Sequence, residues 1–319
     1  MMQEHKVDAD GIAVHFPRKP YSVQERFMTS AVSALKSDSV ALLESPTGTG
    51  KTLCLLAATL AWQEWEFKQR KRTGGADEGN MHMGGQLGYS DEPNSSSGDQ
   101  QRAAISNSFG WEGKAKADPA TKGKKKAKPR TIIYASRTHS QLQQVVRELK
   151  KTRYRPDMVV LGSREQMCIN DKLLRKHKGG SALIHACQRA CSTHSCNPRN
   201  NLEQVDGSWL KSLSIEDRVA DIEDMVRRGR KEQICPYFAA RDAVPGARLI
   251  LVPYNYLLDA SIRKLMDVEW EGAAVIFDEA HNIEVRHFCE TISLHTTLCT
   301  QSFALTYLTN PNPFSYHYL

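Results

Sequence analysis

The sequence predicts an α/β fold: a parallel sheet with a cysteine-bearing domain inserted into it. Three observations carry this. Short apolar runs alternate with amphipathic stretches along much of the 319 residues, as in strands buried on both faces and joined by helices. A glycine-containing loop, Ser45-Pro46-Thr47-Gly48-Thr49-Gly50-Lys51-Thr52, follows the first run. An acidic box, Asp278-Glu279-Ala280-His281, ends the last.

The first strand is residues 40–43, and a helix over residues 51–67 follows the loop. Residues 68–130 are rich in Gly, Ser, Asn, Asp and Lys without periodicity and read as a disordered insertion. Its end, residues 122–130, is densely basic: a nuclear import signal, a nonspecific phosphate contact or a solvated linker. Order resumes with a strand at 131–135. A helix over 140–150 places Leu142, Val145, Val146 and Leu149 on one face. Residues 158–162 form another strand. Ser214 with Asp217 resembles a capping box, and Ile215, Val219, Ile222 and Val226 mark an amphipathic helix ending near Gly229. Residues 248–252 and 273–277 are the last two strands.

Composition bounds the function classes. Apolar content of 40% and charged content of 25% are those of a soluble globular chain. The first residues are charged with no apolar stretch behind them, so no secretory signal is read. The longest apolar run, residues 53–62, is too short to cross a bilayer. A net charge of +7 and a pI near 8.9 lean mildly toward a polyanionic partner. Eight cysteines without an export signal argue against a disulfide framework, and five of them fall between 168 and 235.

The loop fits the phosphate-binding pattern G-x-x-x-x-G-K-[ST], with Ser45 in place of the first glycine. Gly48 and Gly50 let the backbone curl so that its N–H groups face phosphates. The following helix N-terminus adds partial positive charge. Lys51 reaches the β/γ-phosphates, and the Thr52 hydroxyl is a ligand for Mg²⁺. At the far strand end, Asp278 holds Mg²⁺ and Glu279 orients the attacking water. Gln24, after Pro20-Tyr21, is a candidate adenine reader, because its amide matches the N6 donor and N7 acceptor.

Cys168, Cys187, Cys196 and Cys235 are spaced by 19, 9 and 39 residues, with no zinc-finger C-x₂-C pair. Such spacing suits a cluster set between elements of a folded domain, and four thiolates can hold a [4Fe–4S] cube. Zinc at four cysteines is open on chemistry alone. Cys191 is an extra thiol, a replacement ligand or a spare. Cys54, Cys289 and Cys299 read as core thiols.

Taken with Tyr134-Ala135-Ser136-Arg137-Thr138-His139, Leu161-Gly162-Ser163-Arg164-Glu165-Gln166 and Pro253-Tyr254-Asn255-Tyr256-Leu257-Leu258-Asp259, these motifs resemble the iron–sulfur DNA helicases of superfamily 2, the xeroderma pigmentosum group D type. The resemblance implies a RecA-like parallel-sheet motor domain with an inserted iron–sulfur cluster domain. It divides the chain into motor segments at 1–67, 131–165 and 239–290, the insertion at 68–130, the iron–sulfur domain at 166–238 and an atypical tail at 291–319. It implies ATP, Mg²⁺ and a [4Fe–4S] cluster as cofactors. Lys51, Asp278, Glu279 and His281 become the catalytic set. Cys168, Cys187, Cys196 and Cys235 become the cluster ligands, with Cys191 outside the pattern.

Single-stranded or forked DNA is the implied partner, contacted through Arg137, Thr138, Tyr254, Asn255 and Tyr256. Tyr254 and Tyr256 either stack on bases or lie partly buried beside the sheet. The implied activity is ATP-driven 5′–3′ unwinding in the nucleus, in DNA repair, recombination control and telomere maintenance, beside replication or repair proteins. The family continues into a second motor domain that this sequence does not show, so the expectation is a motor half that binds nucleotide and DNA. Two alternatives belong to other classes: a non-catalytic, metal-containing nucleic-acid-binding module, and a zinc-containing RNA helicase half.

Overall fold

The computed structural model describes residues 4–46, 48–73, 128–177, 179–205, 209–210, 218–268, 270, 272–280, 283 and 303–307. The chain opens with a hairpin, β1 (His5–Ala9) and β2 (Ile12–Phe16), paired antiparallel. Asp10 and Gly11 form its two-residue turn with φ of 52° and 78°, the left-handed geometry that matches the twist of the flanking strands. The sequence reading omitted this hairpin. It also omitted helix α1 (Ser22–Lys36), where Gln24 closes a capping box with Tyr21.

Then come β3 (Val40–Glu44), the loop, and α2 (Lys51–Thr73). The helix runs six residues beyond the expected end at 67, so 68–73 belong to it and not to the insertion. Residues 74–127, most of the expected insertion, lie outside the described residues. Arg130 is tied back to the motor by ion pairs to Asp38 at 2.6 Å and Glu66 at 3.2 Å.

β4 (Ile132–Ser136), α3 (His139–Lys150), β5 (Met158–Val160), β6 (Leu249–Pro253) and β7 (Ala274–Phe277) fall within two residues of the expected positions. An eighth strand, β8 (Phe303–Tyr307), comes from the segment read as an atypical tail. The six-stranded sheet has the order β3-β8-β7-β4-β6-β5, and every pairing is parallel.

Between β5 and β6 lie short helices: α4 (Arg164–Met167), α5 (Asp171–Lys176), α6 (Gly180–Ser192), α7 (Asn197–Gln204), α8 (Ile222–Glu232) and α9 (Pro236–Ala243). Helix α8 begins at Ile222 and not near 215. Asp221 caps it, its carboxylate accepting from the Asp224 N–H at 2.8 Å, and the helix continues through Gly229 to Glu232. Ser214 and Asp217 lie outside the described residues. After β6 come two short helices, α10 (Asn255–Leu258) and α11 (Ala260–Leu265).

Alternation along the strands sorts the sheet's side chains into two cores. Ile132, Tyr134, Leu249, Leu251, Ala274 and Ile276 join α1, α2, α3 and the hairpin. Their neighbours Ile133, Ala135, Ile250, Val252, Val275 and Phe277 face the other way. They share a core with Leu202, Trp209, Met225 and Tyr237 from the cysteine region. That region therefore packs onto the sheet's second face.

Candidate functional site

The loop and the acidic box meet where the strands end. β3 delivers Ser45 to Gly50, and α2 starts at Lys51. Gly48 and Gly50 hold φ of 79° and 74°, a conformation that costs an L side chain strain. A methyl group at Gly50 would also sit 3.3 Å from the Gln24 amide nitrogen. The Ser45 and Thr49 hydroxyls are 2.7 Å apart, so the serine at the first glycine position braces the loop across its own width.

Lys51 is buried and turns back into the loop, donating to the carbonyls of Ser45 at 3.1 Å and Pro46 at 3.3 Å. Thr47 and His281 lie outside the described residues. Across the cleft, Thr52 donates its hydroxyl to the Asp278 carboxylate at 3.2 Å, joining positions 226 residues apart. Tyr134, at the middle of β4, donates to the same carboxylate oxygen at 2.7 Å. Tyr254 donates its hydroxyl to the Asp278 backbone carbonyl. Burial, reinforced by the neighbouring carboxylate, pushes the Tyr134 hydroxyl well above its ordinary pKa, so it stays a proton donor. Glu279 follows with a φ of 59°, a left-handed turn that takes the chain sharply off the strand.

Sequence reasoning did not single out Tyr134 as a site residue. In an apolar strand run it reads as core, and only the sheet order brings it under Asp278. It did single out Gln24. Gln24 is 1% exposed. Its amide nitrogen donates to the Thr49 carbonyl at 2.7 Å, and its amide oxygen accepts from the Tyr21 N–H at 3.0 Å. Gln24 thereby ties the start of α1 to the phosphate loop.

Arg137 and Thr138 follow β4, Asn255 follows β6, and all three are exposed beyond the carboxyl ends of these neighbouring strands. Thr138 also caps α3, its hydroxyl accepting from the Gln141 N–H at 3.3 Å. Tyr254 and Tyr256 are buried, with 7% and 9% exposure, and Tyr254 packs 5.9 Å from the Phe277 ring. Of the two roles open to these tyrosines, burial beside the sheet is the one seen. Neither ring offers a free face to a base.

The second site lies in the cysteine region. Cys168 ends α4, Cys187 lies within α6, and Cys196 and Cys235 are the residues before α7 and α9. All four line one small cavity together with Arg164 and Asn170, and none is in a disulfide. Asn170 donates its side-chain amide to the Cys196 sulfur at 3.5 Å. Arg164, 5% exposed, stacks 4.3 Å from the Tyr237 ring, and Arg241 stacks on that ring at 3.6 Å.

A hydrogen bond from Cys191 and the Arg164 guanidinium draw Cys187 below the usual thiol range, against the effect of burial. Burial pushes Cys168 up, and Cys235 up to about 12. Among the described residues, no three His, Cys, Asp or Glu side chains gather around a single-ion position. Cys54 is buried in the first core, as expected of a structural thiol. Cys289 and Cys299 lie outside the described residues.

Residues 134–298 match the model of the DEAD_2 family. The chain is 40% identical over 281 residues to the human "Regulator of telomere elongation helicase 1", covering 88% of this chain and 21% of that protein. It is 40% identical over 276 residues to the Arabidopsis thaliana "Regulator of telomere elongation helicase 1 homolog", covering 86% and 23%. The chain thus spans about a fifth of the length of the curated relatives it matches. A solved structure named "XPD_Helicase" superposes with a TM-score of 0.44 at 16% identity, covering 84% of this chain and 34% of that one. That likeness is too loose to argue from. Since the DEAD_2 match takes in just over half of the chain, including β4 and the acidic box, this protein belongs to the DEAD_2 family.

Proposed function

We propose that this chain is the ATP-binding motor segment of an ATP-dependent DNA helicase. The observation that carries this is the 3.2 Å contact between Thr52 and Asp278, which joins the phosphate loop to the acidic box across the sheet. A hydroxyl and a carboxylate at that separation form the oxygen pair suited to Mg²⁺. Bound there, Mg²⁺ would supply the positive charge that offsets the phosphates.

The chain's own groups do the rest. Gly48 and Gly50 turn backbone N–H groups toward the phosphates, and the α2 N-terminus adds its dipole. Lys51 exchanges the carbonyls of Ser45 and Pro46 for phosphate oxygens. Tyr134 and Thr52 fix the Asp278 carboxylate so that it does not reorganise during reaction. Glu279 orients the attacking water, and His281 completes the catalytic set.

The four cavity-lining thiols, with no carboxylate among them, fit a [4Fe–4S] cluster, and Arg164 lines the same cavity. Bound there, the cluster would cross-link four segments that hold little sheet of their own. Arg137, Thr138 and Asn255, exposed beyond the carboxyl ends of β4 and β6, form the surface for single-stranded or forked DNA. The 5′–3′ direction, recombination control, repair and replication or repair partners rest on the resemblance of the motifs. The printed names of the relatives support unwinding in telomere maintenance. Together with the basic run at 122–130 they support a nuclear location. Among the described residues, no helix is long and apolar enough to cross a membrane.

Titration of the chain with a fluorescent ATP analogue tests the reading. Binding should require Mg²⁺ and be lost in Lys51→Ala, and single-stranded DNA should bind independently of Lys51. Equal nucleotide binding by wild type and Lys51→Ala would remove the motor reading and leave a non-catalytic binding module.

A further inference from the structure

Cys191 is the thiol that the four-cysteine set leaves over. It lies four residues after Cys187 on α6, so the two side chains share one face of that helix. Helical side chains lean toward the N-terminus, which carries the Cys191 sulfur over the turn that holds Cys187. Residues at this spacing on a helix have their Cβ atoms about 5–6 Å apart. Cys187 is buried at the cavity wall and Cys191 is half-buried, so the pair leads from the cavity outward. The other three cavity cysteines differ. Each sits at a helix boundary with no second cysteine within four residues.

We propose that Cys191 is a reserve ligand, able to take the place of Cys187 in holding an iron–sulfur cluster at this cavity. This rests on reading the cavity as an iron–sulfur site. In the exchange, the Cys191 thiol gives its proton to solvent and its thiolate bonds the iron that lacks Cys187. No electron changes hands, and the ligand set keeps the same charge. The arrangement makes one corner of the site redundant and leaves three corners essential.

Anaerobic reconstitution of the full chain with ferrous iron and sulfide tests the proposal, with both quantified per chain. Wild type should hold about four irons. Cys191→Ala should hold as many, and Cys187→Ala should retain most of them with an altered visible spectrum. Cys235→Ala, at a position with no second cysteine within four residues, should lose the cluster, as should the Cys187→Ala/Cys191→Ala pair.

Loss of iron from Cys187→Ala to the level of Cys235→Ala overturns the proposal, as does retention by the double variant. A wild-type chain that takes up no iron overturns the iron–sulfur reading itself, so the two failures are distinct. Where Cys187→Ala does not fold, the near-isosteric Cys187→Ser is alkylated with iodoacetamide and mapped by mass spectrometry. Cys191 should react in loaded wild type and be shielded in loaded Cys187→Ser. Equal reactivity in both overturns the proposal.

Discussion

The nucleotide cleft and the thiol cavity are built in opposite ways. The cleft takes its residues from strand ends of a parallel sheet whose central strands are buried on both faces. Ser45, Lys51, Thr52, Tyr134 and Asp278 are already joined to one another or to their own loop. The cavity takes its residues from three helix boundaries and the interior of α6 across nearly seventy residues, where short helices replace the sheet. Its polar side chains converge on a gap. A sheet can preorganise a site through its register, whereas short helices place a site's side chains only through packing.

The sharpest way to separate the two regions is Lys51→Ala. ATP hydrolysis by a helicase carrying this segment should fall by about a hundredfold or more, the scale of removing one preorganised charge. The urea midpoint of the chain should hardly move. A large stability loss would mean that the lysine is a structural part of the loop.

Gly229→Ala probes the other region. A methyl there would lie 2.5 Å from the Pro236 ring and 2.7 Å from the Ile234 carbonyl, so α8 and α9 must part. The expected cost is about 1–3 kcal/mol in urea unfolding, with nucleotide affinity unchanged. Lost nucleotide binding would show that the shared core couples the regions more tightly than proposed.

Tyr134→Phe removes one hydrogen bond to Asp278 and should cost about 1 kcal/mol. It carries a pH signature. Burial and Asp278 hold this hydroxyl protonated well above the ordinary value of 10.0, so the folded chain binds its proton more tightly than the unfolded chain. Its contribution is complete below pH 10 and is lost as pH rises beyond that. The alkaline fall in stability should be shallower in Tyr134→Phe.

The smallest effect belongs to the link between the regions. Lys150 on α3 pairs with Asp224 on α8 at 2.8 Å, both partly exposed. Burial opposes ionisation of Asp224, but the Lys150 hydrogen bond and charge win and hold it below its usual 3.8. The pair's contribution is present above that value and fades as pH falls through the depressed one. Lys150→Ala should cost about 0.2–1 kcal/mol in urea unfolding, less in high salt.

The regions also differ in how much the sequence revealed. The sheet was legible because strands buried on both faces are continuous apolar runs, and β3 to β7 fell close to expectation. The hairpin was readable from Asp10-Gly11 between alternating residues, and that signal was passed over. The Ser214–Asp217 pattern lies outside the described residues, and the helix that is described starts at Ile222 with Asp221 as its cap. The meeting of the four thiols was expected from their spacing and the structure brings them to one cavity, but the helices that carry them were not legible, since chain spacing says nothing about how short helices fold back. The tie between Gln24 and the loop was not legible, because its partner Thr49 is brought to it only by tertiary packing.

One strand has a consequence for the width of the cleft. β8 lies between β3 and β7, parallel to both. Neighbouring strands stand about 4.8 Å apart, so β8 holds the loop strand and the acidic-box strand roughly 10 Å from each other. Paired directly, the two would bring the loop onto the carboxylates and leave no room for a triphosphate. A segment late in the chain therefore acts as a gauge block, setting the clearance between two motifs it belongs to neither of.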